Sequence, residues 1–95
     1  MSAAVDRVTV ENVNHPGKMS TVDGAKYREA KAALLAALPK SGGLTQAEMI
    51  AGVRQRLTGD LVAKAGWWTK CVQLDLEAKG VVVRDGKKPI RWRRA

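Results

Sequence analysis

The chain has 95 residues, 45% of them hydrophobic, with one cysteine and a formal net charge of +8. That length allows one domain around one modest core, and that composition excludes a disordered polymer. A lone cysteine excludes an internal disulfide framework and suits a reducing compartment. No run has the length and apolarity of a signal peptide or a membrane span, so a cytoplasmic protein without membrane association is expected.

The charge is unevenly spread. Residues 1–50 carry six Lys/Arg against five Asp/Glu, whereas residues 51–95 carry eleven against four. A one-sided basic excess points to a polyanionic partner; the plainer reading is a solvated face. There is no Phe, and the three Trp (Trp67, Trp68 and Trp92) all fall in the last third.

In chain order, residues 1–22 read as a short N-terminal arm. Val8 and Val10 alternate with polar neighbours, which permits a strand over 7–13, and Asn14-His15-Pro16-Gly17 reads as a turn. Asp23 can cap a helix over 25–38, where Tyr27, Ala30, Leu34 and Leu38 recur at helical spacing. Pro39 stops it. Thr45-Gln46-Ala47-Glu48 is a capping box that opens a second helix over 46–57. Leu44, just before it, serves as a hydrophobic staple or a one-bridge strand.

Residues 58–65 connect to a third helix over 64–79. On a wheel of 100° per residue its apolar arc holds Trp67, Trp68, Cys71, Val72, Leu74, Leu76 and Ala78. The opposite arc holds Thr69, Lys70, Gln73 and Glu77. Gly80 suits the left-handed position after the helix. A hairpin follows: Val81-Val82-Val83-Arg84, a turn at Asp85-Gly86 lengthened by Lys87-Lys88-Pro89, and Ile90-Arg91-Trp92-Arg93. Alternation puts Ile90 and Trp92 on one face and Arg91 and Arg93 on the other.

Three helices and a basic hairpin in this order predict an α+β winged helix-turn-helix domain over 23–95, with the antiparallel C-terminal hairpin as its wing. The stretch Ala63-Lys64-Ala65-Gly66-Trp67-Trp68, followed by Val72-Gln73-Leu74-Asp75-Leu76-Glu77-Ala78-Lys79-Gly80, resembles a family of small bacterial proteins classed as a domain of unknown function. Glu11-Asn12-Val13-Asn14, Pro16-Gly17, Val22-Asp23, Lys26-Tyr27 and Leu38-Pro39 also fit its pattern, so the resemblance spans nearly the whole chain. It implies a winged-helix fold of bacterial origin and includes the arm in the module. It implies no established activity, and no functional residue carries over.

The candidate nucleic-acid contacts are of two kinds. Thr69, Lys70 and Gln73 are expected on the outer face of a recognition helix, where Gln suits adenine and Lys suits guanine or phosphate. The plainer reading is an ordinary solvated face. Glu77 on the same arc and Asp75 beside it would repel phosphate, which shifts weight to the wing. There Arg84, Lys87, Lys88, Arg91, Arg93 and Arg94 are expected to meet phosphates. The plainer reading is an edge guarded by charge, but guarding needs fewer cations. Paired Trp67 and Trp68 are expected in the core rather than stacked on bases.

His15 and Cys71 fall in different elements, and no catalytic or metal-ligand arrangement stands out, so neither enzyme activity nor a cofactor is expected. The expected function is nucleic-acid binding, to duplex DNA before RNA, as a small transcriptional regulator. The rival is a winged-helix protein-interaction module or homodimer, which predicts an exposed apolar patch around Leu61, Val62 and Trp67.

Overall fold

The computed structural model describes residues 7–12, 14, 15, 17, 19–86 and 89–95. Its elements run β1 (Arg7–Glu11), β2 (Met19–Asp23), α1 (Gly24–Ala37), α2 (Gln46–Arg54), a 3-10 segment (Gly59–Lys64), α3 (Ala65–Ala78), β3 (Val82–Asp85) and β4 (Arg91–Arg94). The architecture is α+β: three helices and two small antiparallel sheets.

The first departure from expectation lies at the N-terminus. β2 pairs antiparallel with β1, Val8 opposite Val22 and Val10 opposite Ser20. Val10 and Val22 are buried and join the same core as the helices, so this segment packs on the domain. The expected strand over 7–13 ends at Glu11; Val13 and Pro16 lie outside the described residues. β2 is inconspicuous in the sequence because only Val22 of its five residues turns inward.

α1 and α2 begin where side chains satisfy their first amides. Asp23 accepts from the Lys26 amide at 3.0 Å. The Thr45 amide donates to Glu48 Oε1 at 2.8 Å and the Glu48 amide to Thr45 Oγ1 at 3.3 Å, a complete capping box. α2 stops at Arg54, short of the expected 57, because its last turn tightens: the Arg56 amide bonds the Val53 carbonyl and the Leu57 amide that of Arg54. Leu57 still reaches the core. At the end of α3, Gly80 takes φ 76°. Its amide bonds the Glu77 carbonyl and that of Val81 the Leu76 carbonyl, the paired bonds of a Schellman cap.

α3 is the central element, packed against α1, α2, β1, β3 and the 3-10 segment. Residues on both of its sides are consequently buried: Trp68, Val72 and Leu76, but also Thr69, Gln73 and Asp75. The β3–β4 hairpin gains a third partner on the far side of β4. Leu44 exchanges two backbone hydrogen bonds of 2.8 Å with Trp92, so the one-bridge strand expected at Leu44 is present. Gly43 makes this possible: it has φ 71°, and a Cβ there would meet Arg91 Cβ at 2.8 Å.

Candidate functional site

The alternation along β4 places its side chains. Trp92 is buried beneath the hairpin and Ile90 packs against the core, while Arg91 and Arg93 turn outward with Val83 and Asp85. Arg93 Nε donates to Asp85 Oδ2 at 2.5 Å, and Arg91 lies 3.6 Å from Glu48. Asp85 and Glu48 are both more than half exposed, so these pairs are weak and exchangeable. Lys87 and Lys88 lie outside the described residues.

Arg84 and Arg94 belong to the opposite face. Arg84, directly across from Trp92, lies 5.5 Å over its ring and bonds Glu77 through both Nε and Nη2. The Glu77 side chain is 7% exposed. It also accepts from Trp92 Nε1 at 2.6 Å and from Gln73 Nε2. Arg94 Nε donates to the Leu38 carbonyl at 2.8 Å. Both arginines therefore hold the hairpin to the helices.

The expected reading face of α3 is corrected. Thr69 and Gln73 are 1% and 2% exposed, beyond reach of a base edge. The arc they share with Glu77 faces neighbouring elements because α3 is covered on several sides. Thr69 Oγ1 has no hydrogen-bond partner among the described residues, and Gln73 is committed to Glu77. Lys70 alone of the three is exposed.

The two carboxylates expected to repel phosphate are matched within the domain. Glu77 is held by Arg84, Trp92 and Gln73. Asp75 is fully buried and accepts from the Glu11 amide at 2.9 Å, from Lys79 Nζ and from the Tyr27 hydroxyl. Burial pushes its carboxyl up, but bonds from Lys79, Tyr27 and Glu11 outweigh this and hold it below the ordinary range. Burial, then the Asp75 hydrogen bond and charge, push the Tyr27 hydroxyl well up.

The tryptophan pair divides. Trp68 is 5% exposed and Trp67 57%, with ring centroids 4.9 Å apart and planes at 88°. The expectation that both lie in the core holds for Trp68 only. Successive helical residues are separated by 100°, so one apolar wall could not take both. Beside Trp67 a groove of about 880 Å³ opens between the β1–β2 hairpin, the 3-10 segment and the start of α3. Of the other residues of the expected apolar patch, Val62 is 37% exposed and Leu61 is buried, and only Leu61 lines the groove.

His15 and Cys71 lie in different elements, as expected, but line one smaller recess of about 350 Å³. Burial, and then the charge of Asp75, raise the Cys71 thiol, so it is a poor nucleophile at neutral pH. Among the described residues no group of three His, Cys, Asp or Glu is placed to hold a metal ion, and no helix is long and apolar enough to cross a membrane. No curated protein and no solved structure matches the chain significantly. Residues 7–92 match the model of a family of unknown function, DUF6958, and the chain belongs to that family.

Proposed function

We propose that the protein is a winged-helix module of the bacterial cytoplasm that binds nucleic acid, duplex DNA first, through backbone phosphates. The observation that carries this reading is the outward face of β4. Arg91 and Arg93 project from a strand anchored below by Trp92, in a chain half with eleven cations against four acids. Lys87 and Lys88, between β3 and β4 in sequence, add two charges, and Lys70 is exposed on α3. The carboxylates that weigh against this reading in the sequence, Asp75 and Glu77, are turned inward and matched. Support for a winged helix is the order of three helices and a hairpin, with Leu44 bridging the hairpin's outer strand.

With Thr69 and Gln73 buried, the reading differs from that of a major-groove reader. Phosphate contact supplies affinity and little sequence selectivity. The test is a titration of duplex DNA across salt concentrations. Contacts to about four phosphates give a slope of about −3.6 in log K against log salt. Arg91→Gln with Arg93→Gln weakens binding on all sequences and reduces that slope by about two. A flat salt dependence, or a double variant that binds like the parent, refutes the proposal.

A further inference from the structure

The β3–β4 hairpin makes no use of the groove beside Trp67. Trp67 and Glu77 are ten residues apart on one helix, which separates the two surfaces by about 15 Å along its axis. Trp67 is 57% exposed in a chain that buries its other two tryptophans. Trp68 meets it edge to face, so the exposed ring is propped against a fixed neighbour. Val22, Leu61 and Trp68 continue the apolar lining. A rigid, partly exposed Trp beside an apolar recess is the usual anchor of a protein contact, because it contributes large area at small entropic cost.

The charges around the groove identify what it fits. Arg7, Lys26 and Lys64 stand at its edge. Arg7 is held there by two bonds to Thr21, at 3.1 Å to the hydroxyl and 2.9 Å to the carbonyl, neither of which cancels its charge. Of the two acids at the groove, Asp23 already accepts the Lys26 amide, and the three cations outnumber the two acids. A second copy, itself carrying +8, is opposed by like charge. A nucleic-acid strand carries a charge at every nucleotide and would bring some against Asp23 and Asp60, whereas a peptide can set its carboxylates at the cations alone and an uncharged side chain on the apolar floor. We infer that this groove docks an acidic peptide segment of a partner protein, with one large apolar side chain seated against Trp67 and its carboxylates on Arg7, Lys26 and Lys64.

The test uses the full chain and fluorescein-labelled twelve-residue peptides rich in Asp and Glu, with Leu, Phe or Trp at the centre and an Ala-centred control. Anisotropy titration is expected to give saturable binding of at least one anchored peptide with Kd below about 100 µM, against tenfold or more weaker binding of the control. Trp67→Ala is expected to weaken the anchored peptide roughly tenfold or more while leaving melting temperature and duplex DNA binding unchanged. Lys64→Glu, which keeps the ring, is expected to weaken it as well. Equal binding of anchored and control peptides, or no binding, overturns the inference. So does loss of duplex DNA binding in Trp67→Ala, which would assign the ring to nucleic acid. A dimer in sedimentation that Trp67→Ala dissolves would assign the groove to a second copy and overturn it too.

Discussion

The hydroxyl of Tyr27 on α1 donates to the carboxylate of Asp75 on α3, 48 positions away in sequence. The same carboxylate takes the backbone amide of Glu11, 64 positions away, so one buried side chain ties β1, α1 and α3 together. Asp75→Ala strands a buried hydroxyl and an amide, and is expected to cost about 3 kcal/mol. Tyr27→Phe removes one donor and is expected to cost about 2 kcal/mol. Urea denaturation of the two variants measures both. The N-terminal hairpin should also lose amide-exchange protection at Glu11 first in Asp75→Ala.

The same pair sets the pH range of the fold. The Asp75 carboxyl is lowered in the folded state. Its contribution is therefore complete above the ordinary value of about 3.9 and disappears as pH falls through the folded value. Glu48, lowered chiefly by the Thr45 amide, adds to this acid limb. The Tyr27 hydroxyl is raised, so its contribution is complete below about 10 and is lost as pH rises through the folded value. Cys71, raised by burial, begins the alkaline loss at lower pH. Melting temperature against pH should be flat near neutrality and fall at both ends, and Tyr27→Phe should flatten the alkaline limb. An alkaline limb unchanged in that variant would contradict the assignment.

Glu77, Arg84 and Trp92 form a second tie, between α3 and the hairpin. Glu77→Ala unpairs the Trp92 indole and releases the Arg84 guanidinium. Because Arg84 is partly solvated, Arg84→Ala alone should cost less. The two changes remove one shared interaction, so their combined cost should fall short of additivity by about 1 kcal/mol. A double-mutant cycle in urea reads that difference. Additive costs would mean that Arg84 contributes nothing through Glu77.

Signals confined to a few neighbouring residues are legible in the sequence. Asp23, the Thr45 and Glu48 box and Gly80 all act within local chain geometry. The burial pattern of α3 is not legible there. A helical wheel separates apolar from polar arcs but assumes that the polar arc meets water. Here α3 has neighbours on several sides, so Thr69 and Gln73 are enclosed while Trp67, from the apolar arc, emerges. Two partners of Asp75, Tyr27 and Glu11, stay hidden in the sequence because they come from distant parts of the chain. Arg84 and Arg94 read as wing cations because charge alone does not reveal which face of a strand carries them.

Gly43 offers a check on how closely the loop before α2 approaches β4. Its φ of 71° disfavours any side chain, and an added Cβ would fall 3.1 Å from the Trp92 carbonyl oxygen as well as against Arg91 Cβ. Gly43→Ala should therefore cost more than the roughly 1 kcal/mol of left-handed strain alone. Gly42, with φ 82° and nothing within 4 Å of its added Cβ, supplies the control. Gly42→Ala meets the strain without the clash. Thermal denaturation should rank Gly43→Ala below Gly42→Ala, and equal melting temperatures would mean that the Leu44–Trp92 bridge yields easily.

Thr69 separates the two views of α3 most sharply. Its hydroxyl is buried with no partner among the described residues, a condition that costs a protein about 1–3 kcal/mol. Valine has nearly the same shape and a comparable helix propensity, and it carries no group to leave unpaired. Thr69→Val is therefore expected to raise stability by about 1 kcal/mol. Because the side chain is enclosed, the variant should also bind duplex DNA with the parent's affinity and salt dependence. Had Thr69 lain on the outer face of a recognition helix, the same change would leave stability nearly untouched and weaken binding instead. Melting curves and one DNA titration on this single variant thus decide which face of α3 meets solvent.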